Sequence, residues 1–448
     1  MDQVAIRTKQ TNKSTLVIYA DPKSRGFHDL LIKGGQFYAV YDPATGFWRK
    51  DLSALSESID RDILEYRSTC TAPEGVAIVP ELMDNMSNGA WMRYLNQMRG
   101  LTDSRVQLDQ KIFFNNDTIR REDYASFKEP YDLVESPIPN YEKLMSTIYD
   151  PAQRQKLEWG IGLLVDGKHV KRTQKFFVIC GDPGTGKSTV LHIIEQLFAG
   201  YVSYFNAKEL GQGYTFATAA FKDAPLVAIQ TDGDLSKISD NTLINQIAGH
   251  ETIIVNEKGV KQYPVELKTI MFLASNKPVE ITDSQSGLTR RLIDVYPSGR
   301  KLPNDEYFEA LDNIRYELGG IAWHCLQVFR KMGPNAYGSY VAKEMVARTN
   351  DIYSFLSSKL DEFADSAEID AYSLWKDYSA WCEEANIQVR MKRDDFIYEV
   401  ESYFQERESA FVNGRMTTRN TRFRGFKDRK STRLNSSHMP KSRMPSSA

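Results

Sequence analysis

The run Gly181-Asp182-Pro183-Gly184-Thr185-Gly186-Lys187-Ser188 constrains this chain more than any other stretch of its 448 residues. It satisfies every fixed position of the pattern GxxxxGK[ST]. On one side lies the compact apolar segment Lys175 to Cys180. On the other, Ser188 to Phe198 carries Val190, Leu191, Ile194, Leu197 and Phe198 at helical spacing. Strand, glycine-rich turn and helix in that order build a phosphate cradle. Gly181, Gly184 and Gly186 let the backbone curl until its amides face phosphate oxygens. Lys187 reaches the terminal phosphates, Ser188 offers a hydroxyl to magnesium, and the helix N-terminus adds a favourable field. Residues 181–189, Thr189 included, form the predicted nucleotide-binding segment (cofactors ATP and Mg2+), and hydrolysis of the bound ATP is the expected activity.

Phosphoryl transfer also needs a metal holder and a group that orients water. The apolar segment Leu226-Val227-Ala228-Ile229 runs into Gln230-Thr231-Asp232-Gly233-Asp234, which places carboxylates just past a strand's carboxyl end, where open sheets present ligand groups. Asp232 is assigned to the magnesium shell with Ser188, and Asp234 to water activation; the two roles are exchangeable. A further apolar strand, Thr269 to Ser275, ends in Asn276, a neutral amide able to bridge water and the γ-phosphate. Arg290 and Arg291 follow Thr289, and either offers a forked donor to phosphate, in trans if the site lies between subunits. Glu251 to Val255, the turn Asn256-Glu257-Lys258-Gly259 and Val260 to Tyr263 predict a projecting hairpin. Lys258 near its tip and Lys261 on its return arm can touch nucleic-acid phosphates, contacts that position rather than specify.

Around these motifs, strands alternate with helices, which argues for an α/β core with a largely parallel sheet. Four divisions are expected: a strand-rich accessory domain over 1–140, the core over 141–303, a mainly helical region over 304–426, and a basic tail over 427–448. Residues 1–14 read as frayed and Lys111 to Phe114 as a short strand, while Pro130, Pro137 and Pro139 mark a linker. Tyr372, Trp375, Tyr378 and Trp381, spaced by three, read as a helix-packing stripe rather than a base-stacking platform. No apolar run approaches the roughly 20 residues a membrane span needs, so an intracellular, cytoplasmic protein without membrane contact is expected. Cys70, Cys180, Cys325 and Cys382 form no CxxC pair, which argues against a zinc site or disulfide framework. Residues 411–448 hold ten Lys or Arg against Asp428 alone; removing that +9 from the formal −2 leaves 1–410 at −11, so nucleic acid must be met by local patches.

The order of these features resembles the superfamily 3 helicase domain, an AAA+-like motor, in the phage and plasmid primase-helicase branch related to the poxvirus helicase-primase. Arg121-Glu122-Asp123-Tyr124, Gly249-His250-Glu251 and Ser286-Gly287-Leu288-Thr289-Arg290-Arg291 add to the likeness, which covers roughly 110–300 closely and extends loosely to about 426. The resemblance implies a DNA helicase in phage or plasmid replication, located in the host cytoplasm if phage-encoded. It also implies a homo-oligomeric ring, commonly hexameric, that hydrolyses ATP between subunits and moves 3′ to 5′ on single-stranded or forked DNA, with a primase or initiation partner. By position, Lys187 and Ser188 belong to Walker A, Asp232 and Asp234 to a Walker B-like segment and Asn276 to the polar sensor. Arg290 or Arg291 becomes the arginine finger, and Lys258 and Lys261 become DNA contacts. Many relatives carry a glutamate in Walker B; Thr231-Asp232-Gly233-Asp234 has none. The resemblance further implies that about 345–426 is similar to a winged helix, whereas 1–150 lacks the acidic metal cluster of a primase. The tail from Lys430 to Ala448 resembles translated sequencing-adapter sequence and is read as an artefact. Two other readings stay open: a remodelling or DNA-packaging ATPase that moves without unwinding, and an origin-binding scaffold that uses ATP only to assemble.

Overall fold

The computed structural model describes residues 4–25, 29–34, 36–103, 107–233, 241–279, 287–342, 345, 351–359, 368–384, 391–401, 403–408, 411–412, 415–416 and 421–426. The chain divides into two units, Met1–Ala342 and Lys343–Ala448.

The first unit opens with β1 (Val4–Asn12) and β2 (Thr15–Arg25), an antiparallel pair, followed by the meander β3 (Leu30–Lys33), β4 (Phe37–Asp42) and β5 (Phe47–Arg49). Residues 4–12 are thus a strand, not a frayed end. Their polarity is that of a solvent face, tied down by the ion pairs Arg7 to Asp21 (2.8 Å) and Lys9 to Glu81 (2.9 Å). In α1 (Leu52–Thr69), Leu55, Ile59 and Ile63 recur every four residues and bury one stripe against Ile18, Leu30 and Ile32. Asp51 caps this helix by accepting from the Ala54 amide at 2.6 Å. β6 (Ala77–Pro80) pairs in parallel with β2, and α2 (Asn88–Met98) closes the small core with Leu95 and Met98. The segment 111–114 contributes only an isolated bridge, Phe114 to Glu129.

The segment 130–138 is not a slack linker. The Tyr131 hydroxyl donates to the Leu197 carbonyl, and a Cβ on Gly319 or Gly320 would collide with Asp132 O at 2.1 Å or Ser136 Oγ at 2.4 Å. Proline here shapes a packed path, and Pro139 begins α3 (Pro139–Ile148). No side chain caps α3 at its own N-cap. Glu317 does so from a distant segment, accepting from the Asn140 amide at 3.0 Å and the Tyr141 amide at 2.9 Å, where its charge meets the positive helix end.

The helix α4 (Pro151–Asp166) precedes β7 (Phe176–Cys180), α5 (Lys187–Leu197), β8 (Val202–Tyr204), α6 (Ala207–Gly211) and β9 (Val227–Gln230). Next come α7 (Thr242–Ala248), the hairpin β10 (Thr252–Val255) with β11 (Tyr263–Glu266), then β12 (Ile270–Ser275), α8 (Gly287–Arg291) and β13 (Leu292–Val295). Strands β13, β7, β12, β9 and β8, in that order, form one fully parallel sheet. β7, β9, β12 and β13 are buried along their whole length, which is why β7, β9 and β12 read as nearly continuous apolar runs rather than alternating ones, whereas β13 carries the buried Asp294. The helices α9 (Asn304–Asn313) and α10 (Leu318–Met332) belong to the same hydrophobic core, through Ala310, Ile321 and Phe329.

Two glycines let α4 sit between that sheet and α10. A Cβ on Gly160 would fall 2.4 Å from Phe177 Cζ, and one on Gly162 2.0 Å from the Cys325 carbonyl oxygen. The second contact is with backbone and cannot be relieved by a rotamer change. Gly162→Ala is expected to force the helices apart at a cost of about 3 kcal/mol, read as a lower urea midpoint for the first unit. An unchanged midpoint would mean that α4 and α10 pack less closely than described.

In the second unit, α11 (Asp351–Ser358), β14 (Ile369–Asp370), α12 (Ala371–Glu384), α13 (Arg393–Glu401), β15 (Phe404–Glu408), the pair β16 (Phe411–Val412) with β17 (Arg415–Met416), and β18 (Arg422–Phe426) follow in sequence. Its three-stranded sheet runs β14-β18-β15. Phe355, Leu374, Tyr378, Phe396 and Phe423 make the core, with Trp375 and Trp381 packed against it, so three members of the aromatic stripe are core packing, while Tyr372 is exposed with Lys376 over its ring. Arg422 and Arg424, two of the cations near the chain's end, pair with Glu368. The tail 427–448 lies outside the described residues. Among the described residues no helix is long and apolar enough to cross a membrane.

Candidate functional site

At the carboxyl end of the parallel sheet, β12 lies between β7 and β9. That placement brings together three stretches far apart in sequence. The Gly181 amide donates to the Ser275 carbonyl at 3.2 Å, and the Gly233 amide to the Ala274 carbonyl at 2.9 Å. Asn276 Nδ2 in turn donates to Asp232 Oδ1 at 3.4 Å. The glycine-rich turn, Asp232 and Asn276 therefore share one rim. Asp234 lies outside the described residues.

Within the turn, Gly184 and Gly186 adopt φ of 74° and 92°, which favours glycine over any residue with a side chain. At Gly186 a Cβ would also press to 2.7 Å from Ile148. Lys187, the first residue of α5, is buried, and its Nζ donates to the carbonyls of Gly181 at 2.8 Å and Asp182 at 2.9 Å. Its ammonium is thereby poised over the loop. Thr185 Oγ1 donates to the Asp182 carbonyl at 2.7 Å, tightening the turn around Pro183. Ser188 is exposed at the helix start, whereas Thr189 is buried with its hydroxyl 2.8 Å from that of Tyr307. Thr189 thus has only its backbone to offer a ligand. Ser188 and Asp232, a hydroxyl and an exposed carboxylate, are the hard oxygen donors that suit magnesium with its remaining waters.

Two rim residues carry no signal in the sequence. Lys301 brings its Nζ to 3.5 Å from where a Cβ on Gly184 would stand, so a cation outside the motif overlooks the cradle. Gln230 is buried, and its side chain accepts from the Ala207 amide at 2.9 Å and donates to the Asp232 carbonyl at 3.4 Å. It fixes the turn that carries Asp232. Nothing in periodicity or local pattern distinguishes either residue, because each acts through a neighbour remote in sequence.

Arg290, Arg291 and the hairpin lie at the other end of the sheet. Helix α8 feeds β13, whose first residue pairs with Phe176 at the start of β7. The five residues of β7 put about 17 Å between that end and the glycine-rich turn. Arg290 is exposed, and its carbonyl accepts from Lys175 Nζ. Burial pulls the Lys175 amine down to about 8, and the same amine donates to the Tyr340 carbonyl at 3.1 Å. Arg291 instead is buried, with Nη1 donating to Asn245 Oδ1 at 3.3 Å and to the Gly287 carbonyl at 3.4 Å. Burial, then the adjacent Arg290 charge, pulls its guanidinium below its usual range, and Glu251 opposes them. The two arginines are therefore not equivalent: Arg290 is presented outward, while Arg291 ties α8 to α7.

The hairpin forms as expected, with Thr252 opposite Glu266 and Val255 opposite Tyr263. Lys258 and Lys261 are exposed near its tip. Its flank is anchored: the Asn256 amide donates to Thr218 Oγ1 at 3.0 Å, and Gln36 of the N-terminal sheet donates to the Pro264 carbonyl at 3.3 Å.

The fold and rim define a mixed α/β protein with a parallel sheet whose carboxyl end gathers a glycine-rich turn, a carboxylate and an amide. Residues 179–291, which hold that rim, match a family described as a family of unknown function, DUF5906. Residues 348–438 match the family described as Poxvirus D5 protein-like, a match that extends into the 427–448 stretch. Among solved structures, the chain is similar to the apo A form of the NrS-1 C-terminal region, with a TM-score of 0.45 and 13% identity over 89% of this chain and 95% of that one. A structure titled SCCmec type IV Cch, active helicase, aligns with a TM-score of 0.30 and 14% identity over 84% of this chain and 78% of that one.

Proposed function

We propose that this protein is an ATP-driven DNA helicase of the superfamily 3 type, acting in replication as a ring of identical subunits. One observation carries the reading. The phosphate cradle stands at one end of the sheet, while the exposed Arg290 stands about 17 Å away at the other, out of reach of its own cradle. A chain built this way holds complementary halves of two sites. Head-to-tail association places Arg290 of one subunit at the cradle of the next, and such an arrangement forms a ring when the rotation from subunit to subunit closes. The match of residues 348–438 to Poxvirus D5-like proteins supports the replicative context.

Bound magnesium-ATP supplies the scissile phosphoanhydride. Lys187 would exchange the Gly181 and Asp182 carbonyls for phosphate oxygens, and Ser188 with Asp232 would hold magnesium, which would offset phosphate charge. Asn276 orients water toward the γ-phosphate, and Asp234 accepts its proton. Arg290 stabilises the charge that develops in the transition state. Lys258 and Lys261 carry the hairpin's phosphate contacts. The order helix, strand, two helices and paired strands from α11 to β18, with β18 between β14 and β15, supports a winged helix in the second unit.

The test is strand displacement on forked duplexes bearing opposite single-stranded tails. The parent protein is expected to hydrolyse ATP faster with DNA and to separate the substrate with a 3′ tail, and the Lys187→Ala variant to separate neither. Hydrolysis and movement without strand separation would instead favour a remodelling or packaging ATPase. Stable assembly on DNA without turnover would favour a scaffold.

A further inference from the structure

At the amino end of the parallel sheet, three lysines from three separate segments close on one carboxylate. Glu266 ends β11 with an exposed side chain, and Lys171, in the turn before β7, forms an ion pair with it. The hydrogen bond from Lys171, joined by the charges of Lys171, Lys268 and Lys33, holds the Glu266 carboxyl below its usual range against the opposing effect of burial. Lys33 ends β3 in the N-terminal meander, and Lys268 lies between β11 and β12.

Backbone carbonyls from the 103–110 region fix two of these amines in place. Lys33 Nζ donates to the Asp103 carbonyl at 3.0 Å, and Lys268 Nζ to the Gln110 carbonyl at 3.5 Å. The Asp103 carboxylate accepts from the Ile32 amide at 2.9 Å and also attracts Lys33. Glu266 is the exposed carboxylate that attracts all three cations. Burial lowers the affinity of Lys33 and Lys268 for their protons, and the charge of Lys171 adds to this at Lys268. Three ammonium groups thus face two carboxylates, Glu266 and Asp103, and an incoming anion balances the charge left over.

The cluster sits at the base of the hairpin that bears Lys258 and Lys261, and Gln36 joins that hairpin to the meander carrying Lys33. We propose that Lys33, Lys171 and Lys268 form a second binding site for the phosphodiester backbone of single-stranded DNA, with a backbone phosphate replacing Glu266 and the N-terminal region supplying one of the three contacts. Lysines act as point charges toward phosphate, so the site tolerates any base sequence. Lys171 and Glu266 are exposed, Lys33 and Lys268 half-buried, and the cations come from three segments, which suits an extended polyanion better than a free nucleotide. The inference rests on the DNA-translocation reading above, and it assigns a task to the N-terminal meander.

The experiment measures binding of a labelled oligothymidylate to the full chain between 50 and 200 mM salt, with combined Lys33→Gln, Lys171→Gln and Lys268→Gln substitutions. Loss of three phosphate contacts should flatten the slope of log affinity against log salt by about 2. Affinity at the low-salt end should fall at least tenfold, while ATP hydrolysis without DNA stays at the parental level. Glu266→Gln should act in the opposite sense, tightening binding, which a loss of folding cannot mimic. If the triple variant unfolds, that single substitution decides: unchanged or weaker binding overturns the site. Parental affinity and slope in a folded triple variant, together with a loss in Lys258→Gln/Lys261→Gln, would overturn the second site and leave the helicase reading intact. A parent protein that binds no single-stranded DNA removes both.

Discussion

Lys187→Ala is expected to lower ATP turnover by roughly 10²–10³-fold, the usual cost of removing one preorganised donor from a transition state that carries developing charge. The geometry makes the lysine hard to replace. Its ammonium is held over the turn by the Gly181 and Asp182 carbonyls, at the start of a helix whose N-terminal amides face the same space. Water cannot reproduce a buried, oriented cation there. The fold should survive, because the carbonyls released lie in an exposed turn that solvent reaches. Phosphate release and a thermal melt, run side by side, check both halves. Turnover at the parental rate would place the chemistry elsewhere.

Arg290→Ala is expected to cost roughly 10³-fold in turnover, within the range of arginine fingers supplied in trans, with little change in thermal midpoint. Its neighbour should behave differently. Arg291→Ala removes the bridge from α8 to Asn245 and should lower the midpoint, since that side chain is buried and bonded within its own subunit. Mixing the inactive Arg290→Ala and Lys187→Ala chains separates a site in trans from one in cis. If sites form between subunits, some interfaces in the mixture pair an intact Lys187 with an intact Arg290, and activity returns. No recovery from any mixing ratio would place the finger in the wrong residue or the site within one chain.

The strand, turn and helix around residues 181–188 were legible because each signal there is local: an apolar run, glycines at fixed offsets and a helical period. The same holds for β9, β12 and the hairpin, whose apolar strands are bounded by polar turns. Strands β8 and β13 escaped notice for the converse reason. Val202–Tyr204 and Leu292–Val295 are too short to show a period, and pairing with β9 and β7 makes them strands. Residues 4–12 looked frayed because a solvent-facing strand is polar by necessity, and the prolines at 130–139 looked like a linker because nothing local reveals Gly319 and Gly320 waiting against them.

By itself, the sequence determined the chemical groups available: a glycine-rich turn at 181–188 ending in a lysine and a serine, a carboxylate at 232, an amide at 276, paired arginines and a lysine-tipped hairpin. Which of these meet was decided only by the tertiary structure. Strand order inserted β12 between β7 and β9 and so joined Asn276 to Asp232 across the rim, while the parallel direction of every strand sent Arg290 and the hairpin to the opposite end. Burial then separated two adjacent arginines into one facing outward and one locked inside. Spacing along a chain records the first kind of information; the pairing of distant strands, and the exclusion of water from one side chain but not the next, create the second.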